Sequence, residues 1–443
     1  MNRLQQLALL GGPKAVRSDP GDLFRWPIIT AEDEAAALDV LRRGAMSGTD
    51  VTLRFEQEFA AWQGAPHALG FNNGTAAIHA GLFGLHVGVG DEVICPSMTY
   101  WASALPCLSL GATPVFADID PDTLCISPGD IEHRINRRTR AIVVVHYAGY
   151  PAEMDPILEI ARRHGIRVLE DVSHAQGGLY RGRKLGTQGD VAAMSLMSNK
   201  SFAIGEGGML VTQDREIYER AIAFGHYERY TASVQTEALK PFVGLPLGGY
   251  KYRMHQVSSA VGRVQLKYYD ARCEEIRRAM NHFWDLLSGV PGIRAHRPPD
   301  GNGSNMAGWY NARGLYRPEE LGGLSLSRFC RAVSAEGAPC APGANRTLHD
   351  HPMLNDCDVY RHGRPTRLAH ATQDVRQPLG SLPVSERINR FVFGVPWFKH
   401  YRPALIEEYA DAFRKVAAGF SCLLEEDIPD TEPQGQYGLS ART

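Results

Sequence analysis

The residues most able to do chemistry in this chain are a lysine and a carboxylate. Lys200 follows residues 194–199 and precedes the glycine-rich turn 205–208, and Asp171 ends an apolar segment. A lysine in a small polar loop beyond a strand end is partly desolvated, which lowers its pKa and frees the amine to form an imine with an aldehyde. A buried carboxylate needs a positive partner such as a protonated pyridine nitrogen. Taken singly, Lys200 could be a surface lysine and Asp171 a helix cap.

Two further motifs precede this pair. Gly74, Thr75 and Ala76 follow a strand and open a helix, where free N–H groups and the helix dipole favour an anion such as a phosphate. An ordinary glycine turn with a threonine cap is the alternative. Tyr100 and Trp101 stand at the next strand end, and we expect Tyr100 to lie flat on a planar cofactor ring, although both could be core aromatics. The order of all four motifs favours a cofactor site.

The elements that must position these residues alternate along the chain. Such alternation of helices and short apolar strands predicts an α/β fold with a mostly parallel, seven-stranded sheet and flanking helices. Strands are predicted at 67–71, 91–95, 113–117, 141–146, 166–170, 191–195 and 208–212, and helices at 31–43, 52–63, 75–85, 101–110, 128–134, 154–164 and from 256 into 277.

The domain organisation is predicted from changes of composition. A Gly/Pro/Asn-rich stretch at 290–307 marks a junction, after which we expect a smaller α+β unit. Both polar ends are expected to be mobile or to act as docking arms. The predicted division is an N-terminal arm at 1–25, a large cofactor-binding domain at 26–285, a small C-terminal domain at 286–428 and a mobile tail at 429–443.

Composition excludes several classes of function. The 47 basic and 49 acidic residues leave a net charge of −2, which gives no field to recruit nucleic acid or an anionic membrane. The eight cysteines are scattered without a zinc or cluster spacing, and no metal site is predicted. The longest apolar runs fall far short of a membrane helix and the start lacks a signal peptide, so we expect a cytoplasmic protein.

These motifs resemble the fold-type I enzymes that use pyridoxal 5′-phosphate (PLP), and specifically the DegT/DnrJ/EryC1/StrS aminotransferases of keto-sugars and keto-cyclitols. The resemblance covers roughly residues 20–415. It rests on Gly-Thr-Ala-Ala at 74–77, Pro-Ser-Met-Thr-Tyr at 96–100, the segment 114–120, Glu170-Asp171 with Ala175 and Gly177, and Lys200 before Gly-Glu-Gly-Gly at 205–208.

The resemblance implies a role for each matching residue. Lys200 is the expected imine-forming lysine and proton shuttle, Asp171 the partner of the pyridine nitrogen, and Tyr100 the residue stacked on the ring. The phosphate is expected at the motif that begins at Gly74 and at Ser195. The predicted cofactor-binding set is Gly74, Thr75, Ala76, Tyr100, Asp171, His174, Ser195 and Lys251.

Two positions depart from the family pattern. His174 stands where many members have Gln beside the phenolic oxygen of the cofactor, and a histidine can donate the same hydrogen bond. Lys251 stands where the sugar aminotransferases usually have an Asn that reaches the partner subunit's phosphate. The family works as homodimers, so Lys251 and Arg253 are expected to act on the partner's site. This lysine is similar to the cyclitol branch that uses scyllo-inosose-type ketones, or it is a surface lysine.

The resemblance implies transfer of an amino group from L-glutamine or L-glutamate to a keto-cyclitol or a nucleotide-linked keto-sugar, by analogy in amino-sugar or aminoglycoside biosynthesis. One alternative is another PLP-dependent reaction, and a second is a non-catalytic PLP-binding regulator. A dinucleotide-dependent oxidoreductase requires a Gly-x-Gly-x-x-Gly loop that this chain lacks after its first strand. Candidates for recognising substrate hydroxyls, or else surface or interface residues, are His226, Tyr227, Arg229 and His349.

Overall fold

A seven-stranded sheet lies at the centre of the protein. The computed structural model describes residues 6–430 and 435–437. The first nine strands are β1 (His67–Phe71), β2 (Glu92–Pro96), β3 (Thr113–Ala117), β4 (Thr139–Val145), β5 (Arg167–Asp171), β6 (Leu179–Tyr180), β7 (Arg183–Lys184), β8 (Val191–Ser195) and β9 (Gly208–Thr212). β6 and β7 form a separate hairpin. The other seven strands make one sheet in the order β1-β9-β8-β5-β4-β2-β3.

Only one strand of this sheet runs against the others. β9 pairs antiparallel with β1 and β8, whereas the pairs β8–β5, β5–β4, β4–β2 and β2–β3 are parallel. Residues 141–145 of β4 are all buried, as expected of a strand covered on both faces. The predicted α/β fold with a mostly parallel, seven-stranded sheet is confirmed. Each strand lies within two residues of its predicted bounds.

Helices cover both faces of the sheet. They are α1 (Ala31–Arg42), α2 (Asp50–Gln63), α3 (Gly74–Gly84), α4 (Pro128–Arg134), α5 (Met154–His164), α6 (Arg215–Gly225), α7 (Tyr230–Ser233), α8 (Gln256–Leu286), α9 (Leu326–Ala335), α10 (Pro352–Asn355), α11 (Pro383–Arg387) and α12 (Pro403–Ala418). In the described ranges, no helix is both long and apolar enough to cross a membrane.

Two helix predictions need correction. Residues 101–110 form two short 3-10 helices, Trp101–Ser103 and Leu105–Leu110, and not one α-helix. Pro106 lies in the first turn of the second, where its missing N–H is tolerated, whereas inside one continuous helix it would remove a hydrogen bond. α8 continues past the predicted Arg277 to Leu286, because its later apolar residues are buried in a second core.

The C-terminal part has its own antiparallel sheet. The strands β10 (Ile293–Ala295), β11 (Arg313–Tyr316), β12 (Ala341–Pro342) and β13 (Val392–Gly394) pair in the order β10-β11-β13-β12. α9, α12 and the end of α8 pack against this sheet through residues such as Phe283, Phe329 and Phe413. This arrangement is the smaller α+β unit that the sequence predicts.

A long excursion between β12 and β13 returns to the large sheet and covers its edge strand β3. The side chain of Gln377 accepts from the N–H of Phe116 (3.1 Å) and donates to its carbonyl (2.5 Å), in the manner of a neighbouring strand. Arg367, which is fully buried, donates from Nε to the carbonyl of Pro114 (2.9 Å). An uncovered edge strand is open to aggregation, and these contacts close it.

The two ends of the described chain lie against the C-terminal unit. The N–H groups of Ala8 and Ala15 donate to the carboxylate of Glu336 (2.7 and 2.9 Å), so the N-terminal segment is docked. Gln436 pairs with the loop at Asn345, while residues 431–434 and 438–443 of the predicted tail lie outside the described residues. The domain boundaries at 25, 285 and 428 remain predictions.

Candidate active site

The carboxyl ends of neighbouring strands bring most of the predicted residues together. Asp171 ends β5, Ser195 ends the adjacent β8, and Lys200 lies in the loop that follows. The two strands are in parallel register, with Asp171 opposite Ala193. Parallel strands place such residues at one edge of a sheet, where α/β proteins bind their ligands. The structure therefore assembles the lysine and the carboxylate into one site.

Lys200 is buried, and its amine forms no ion pair with any residue that the structure describes. Burial lowers its pKa to about 8, and the nearby carboxylate of Asp171 partly opposes this change. Nζ lies 4.1 Å from the ring centroid of Tyr310, at cation–π distance. The backbone is fixed on both sides, because its N–H donates to Met197 O (2.8 Å) and its carbonyl accepts from Trp26 Nε1 (2.8 Å). A pKa of about 8 leaves roughly a tenth of the amine unprotonated at pH 7, against less than roughly 0.1% for a solvated lysine.

Asp171 is held in one orientation by neighbours at its own strand end. Ser103 donates its hydroxyl to one carboxylate oxygen (2.7 Å), and the N–H of Ser173 donates to the other (3.0 Å). The side chain is 4% exposed. A buried carboxylate with two neutral donors keeps unsatisfied negative charge, which fits the protonated nitrogen of a pyridine ring.

The adjacent Glu170 has a structural role. Burial alone would raise the pKa of its carboxyl, but His146 (3.0 Å) and the backbone N–H groups of Gly186 and Gly189 lower it below the ordinary value. This carboxylate ties the loop after β7 to the sheet. Of the two carboxylates at the end of β5, only Asp171 lies beside Lys200.

The start of α3 forms an anion cradle against the end of β8. Asn73 Oδ1 accepts from the N–H of Ala76 (2.8 Å), so that amide belongs to the helix cap. The N–H groups of Gly74 and Thr75 lie in the first turn and have no carbonyl one turn back. A Cβ on Gly74 would stand 2.7 Å from Cβ of Ser195, so only glycine permits this approach. Two amides and the two hydroxyls of Thr75 and Ser195 fit a phosphate there.

The end of β8 is fixed by residues that the sequence did not single out. The N–H of Ser195 donates to Ser173 Oγ (2.9 Å), and its carbonyl accepts from Gln176 Nε2 (2.7 Å). Gln176 in turn accepts from the hydroxyl of Ser201 (2.7 Å), next to the lysine. This network links the cradle to the lysine loop. In the sequence, this network is indicated only by the polar residues after Asp171, and these do not show which residues hydrogen-bond to one another.

His174 is neutral and oriented as a donor. Burial lowers its pKa well below the ordinary value, and the charges of Lys200 and Arg313 lower it further. The N–H of Ala148 donates to Nδ1 (3.3 Å), which places the ring proton on Nε2. That N–H is the donor that the sequence analysis expects toward a phenolic oxygen.

Two tyrosines lie near the lysine site. Tyr100 is half-buried and its ring lies 4.9 Å from that of Trp101. Burial raises the pKa of its phenol, with a further contribution from Tyr310. Tyr310 itself packs against His174 at 4.6 Å between ring centroids. Tyr310 was not predicted as a site residue, because it lies just beyond the Gly/Pro/Asn-rich stretch at 290–307, which indicated only a domain junction.

The loop that carries Tyr310 has an unusual backbone. Ala307, Trp309 and Asn311 all have left-handed φ angles (44°, 51° and 56°). A Cβ on Gly308 would stand 2.4 Å from Cβ of Ser201, and the carbonyl of Gly308 accepts from Trp397 Nε1 (2.8 Å). Such conformations cost energy and persist where the surroundings impose them, often at functional sites. The loop is pressed directly against the lysine segment.

The residues proposed to recognise substrate hydroxyls are mostly engaged elsewhere. His349 has both ring nitrogens occupied, by Ser97 Oγ (2.8 Å) and Glu386 (3.1 Å). His226 bonds the carbonyl of Gly70 (2.8 Å) and is fully buried. Arg229 Nη1 is paired with both oxygens of Glu56 (2.9 and 2.7 Å). These three residues are structural, which sequence alone could not decide.

Lys251 lies on a segment that pairs with the end of β1, where the N–H of Asn72 donates to the carbonyl of Tyr252 (2.9 Å). It is exposed and its Nζ stands 6.0 Å from the ring centroid of Tyr227. It borders a groove of about 210 Å³ together with Arg229, Arg253 and His255. No described contact joins Lys251 to Gly74 or Lys200 of its own chain. Its predicted role toward a partner's phosphate remains a prediction.

Comparison with known proteins agrees with this geometry. The family described as DegT/DnrJ/EryC1/StrS aminotransferases matches residues 27–390. GDP-perosamine synthase of Caulobacter vibrioides is 38% identical over 248 residues, 56% of this chain and 64% of that protein. The spore coat polysaccharide biosynthesis protein SpsC of Bacillus subtilis is 36% identical over 279 residues, 61% of this chain and 70% of that protein.

A solved structure extends the comparison to the fold. That of S. venezuelae DesV, determined in complex with a ketimine intermediate, is 32% identical with a TM-score of 0.70 and covers 87% of this chain and 94% of its own. The mostly parallel, seven-stranded sheet is that of the fold-type I PLP-dependent aminotransferases among its structural neighbours. Because the family match spans most of its length, the chain belongs to the DegT/DnrJ/EryC1/StrS aminotransferase family.

Proposed function

We propose that this protein is a PLP-dependent aminotransferase that moves an amino group from L-glutamine or L-glutamate to a keto-sugar or keto-cyclitol. One observation carries the proposal, namely the buried Lys200 with a pKa of about 8 beside the carboxylate of Asp171. A solvated lysine has a pKa near 10.4 and is almost fully protonated at neutral pH. Burial at this strand end makes the amine a nucleophile.

The residues at the strand ends suit the parts of PLP. The amides of Gly74 and Thr75 with Ser195 would hold the phosphate, and Asp171 would pair with the ring nitrogen. Tyr100 would cover one ring face. When bound, PLP supplies an electron sink for the charge released at the donor's Cα.

Three more residues of the predicted cofactor-binding set have proposed roles. His174 would donate from Nε2 to the phenolic oxygen, since its Nδ1 already accepts from Ala148. Ala76 would contribute through the helix dipole, because its amide is used by the cap. Lys251 would reach the phosphate of a partner subunit in a homodimer, which its exposed position permits.

Lys200 also has the properties of a proton carrier. Once its amine is free, it can accept a proton at Nζ and return it, because a pKa near the working pH keeps both forms populated. The contact of Nζ with the Tyr310 ring stabilises the charged form while the proton is held. The hydrogen bonds to the backbone of Lys200 fix the position from which its amine can reach a bound substrate.

The acceptor is proposed from relatives. GDP-perosamine synthase acts, by its name, on a nucleotide-linked sugar, and SpsC serves a polysaccharide pathway. These names support a keto-sugar, and the Lys251 variant supports a keto-cyclitol. We place the reaction in amino-sugar or aminoglycoside-type biosynthesis in the cytoplasm.

The visible absorption spectrum of the purified protein with added PLP tests the proposal. We expect a yellow band from PLP bound at Lys200 that is bleached on mixing with L-glutamine or L-glutamate, and L-alanine serves as the comparison donor. A band that no amino donor bleaches would favour a different PLP reaction or a regulator. The absence of any band would exclude the cofactor assignment.

A further inference from the structure

His79 is a buried histidine of α3 that no step of the proposed reaction uses. It is 4% exposed, and it contacts the hydroxyl of Tyr252 through Nδ1 (3.0 Å) and Ser109 Oγ through Nε2 (2.8 Å). Ser109 donates its single proton to the carbonyl of Pro106 (2.8 Å). The serine therefore accepts from Nε2 of His79, and Nδ1 is left to accept from the hydroxyl of Tyr252. The direction of every hydrogen bond in this chain is thus defined.

The surroundings of His79 keep its imidazole neutral. Burial lowers the pKa of His79 to about 4, so Nδ1 retains its lone pair at pH 7. The rings of Phe224 and Tyr250 pack edge-on against it, with centroids at 4.8 and 4.9 Å. The contact with Tyr252 is therefore a fixed hydrogen bond between two neutral groups and not an ion pair.

Tyr252 lies alongside the first turn of α3. Its carbonyl accepts from the N–H of Asn72 (2.9 Å), which comes just before the helix cap, and its hydroxyl reaches His79 in the second turn. The two contacts stand on either side of Gly74 and Thr75, whose amides form the cradle. Residues four apart are neighbours on one face of a helix, so His79 follows Thr75 on the same face. Tyr252 and His79 together form a clamp across the first turn of α3.

The segment that carries Tyr252 is itself held in place. The N–H of Tyr252 donates to the carbonyl of Gly225 (2.9 Å), and Arg253 forms an antiparallel bridge with Phe71 at the end of β1. A Cβ on Gly225 would stand 3.0 Å from Cβ of Tyr252, so the two backbones are close. Lys251 and Arg253, the neighbours of Tyr252, line the surface groove. The clamp therefore rests on a fixed extended segment and not on a free loop.

We propose that His79 is a positioning residue for phosphate binding, which acts through Tyr252 to hold the first turn of α3 where the amides of Gly74 and Thr75 meet a phosphate. This inference rests on the proposed function, which assigns the phosphate of PLP to that cradle. Helix ends fray, and amides bind an anion only while they point at one place. Asn73 caps this turn from within the helix, and the clamp holds it from outside.

The test uses the full chain and variants of matched chemistry. Tyr252→Phe removes only the hydroxyl, and His79→Phe removes both ring nitrogens. His79→Asn is the conservative replacement, because its amide oxygen can accept near the place of Nδ1. Tyr316→Phe is the control, because Tyr316 is also fully buried and donates its hydroxyl to one carbonyl, that of Leu324 (2.9 Å), but belongs to the C-terminal core.

Two measurements separate phosphate binding from the rest of the pocket. Titration of the visible band gives a Kd for PLP and a Kd for pyridoxal, which has the same aldehyde and ring without the phosphate. Thermal midpoints of the protein without PLP, measured with inorganic phosphate and with chloride at equal ionic strength, report on the cradle without any imine or turnover.

We expect Tyr252→Phe to raise the Kd of PLP by roughly 5-fold and to leave that of pyridoxal within about 2-fold, because one positioning hydrogen bond is lost. His79→Phe should lose at least as much, and His79→Asn less. Combining Tyr252→Phe with His79→Phe should add little, because the two residues share one contact. Inorganic phosphate should raise the thermal midpoint of the wild type and of Tyr316→Phe more than that of Tyr252→Phe or His79→Phe.

Two results would overturn the inference. Equal losses of PLP and pyridoxal affinity in Tyr252→Phe would mean that the whole pocket is damaged, and an unchanged phosphate response in both Tyr252→Phe and His79→Phe would mean that the clamp does not act on the cradle. Failure of the proposed function looks different. In that case the wild type forms no visible band with PLP or pyridoxal, while the thermal response to inorganic phosphate still measures the cradle.

Discussion

Two sets of residues meet at Lys200 and they are built differently. The strand-end set, Gly74, Asp171 and Ser195, comes from the ends of β5 and β8 and from the start of α3. The loop set, Tyr310 and its neighbours, comes from the C-terminal part, where the backbone at 307, 309 and 311 takes left-handed angles without glycine. The first set has the groups that we propose for the cofactor, and the second places an aromatic ring 4.1 Å from Nζ of Lys200.

The difference suggests that the two sets of residues have different functions in this site. Strand ends hold groups in fixed positions because a sheet is rigid and its hydrogen bonds are satisfied. A strained loop stays in place only while its contacts persist, such as Gly308 against Ser201 and its carbonyl against Trp397. We therefore expect changes in the strand-end set to affect the chemical step, and changes in the loop set to affect donor binding.

Lys200→Ala should have the largest effect and sharpens this comparison. Removing the amine takes away both the nucleophile and the proton carrier, so we expect kcat to fall by at least roughly 1,000-fold. The phosphate cradle and Asp171 remain, so PLP should still bind, with the spectrum of the free aldehyde. Turnover assays and PLP titration measure the two quantities. Near-normal turnover in the variant would contradict the role of the strand-end set.

The stability of the protein without PLP should depend on the charge of Lys200. Burial lowers the pKa of this lysine to about 8, against a value near 10.4 when unfolded. The unfolded chain therefore binds more protons between these values, and stability should rise with pH across that window. The gain is about 3 kcal/mol relative to Lys200→Met, which cannot titrate there.

Urea unfolding at pH 7.5 and 10.5 checks this expectation. Other titrating groups cancel when the wild type is compared with Lys200→Met at each pH. The same slope in wild type and Lys200→Met would mean that the lysine is solvated.

Two glycines test the sets separately. In Gly308→Ala the new methyl group would stand 2.4 Å from Cβ of Ser201, and in Gly74→Ala 2.7 Å from Cβ of Ser195. Each change should cost about 1–3 kcal/mol of stability through overpacking. PLP affinity should fall mainly in Gly74→Ala, and donor affinity mainly in Gly308→Ala. PLP titration and donor titration measure the two affinities. An equal loss of PLP affinity in both variants would contradict separate functions for the two sets.

The strand-end set was predictable and the loop set was not. Periodicity and strand-end position identified Lys200 and Asp171, because a buried strand followed by a polar loop leaves a clear pattern. Nothing in the pattern marks Trp309 or Asn311 as left-handed, since non-glycine residues take that conformation only under tertiary contacts. His349 looked available for substrate, yet both nitrogens are used by side chains distant in sequence.

The smallest expected effects come from two tryptophans, each of which holds the backbone of one set in place. Trp26 donates Nε1 to the carbonyl of Lys200 (2.8 Å), and Trp397 donates Nε1 to the carbonyl of Gly308 (2.8 Å). Phenylalanine at either position keeps an aromatic ring and removes that donor, so each variant should lose about 1 kcal/mol of stability. The two variants are matched in chemistry and differ in the backbone that they release.

Their kinetic effects should diverge. Trp26→Phe loosens the lysine segment, so kcat should fall by about 3- to 5-fold with little change in the donor's KM, because about 1 kcal/mol of positioning is lost. Trp397→Phe loosens the loop that carries Tyr310, so KM for the donor should rise by a similar factor while kcat is kept. Equal changes of kcat and KM in the two variants would mean that the loop and the strand end move as one body, and the division between chemistry and donor binding would then not hold.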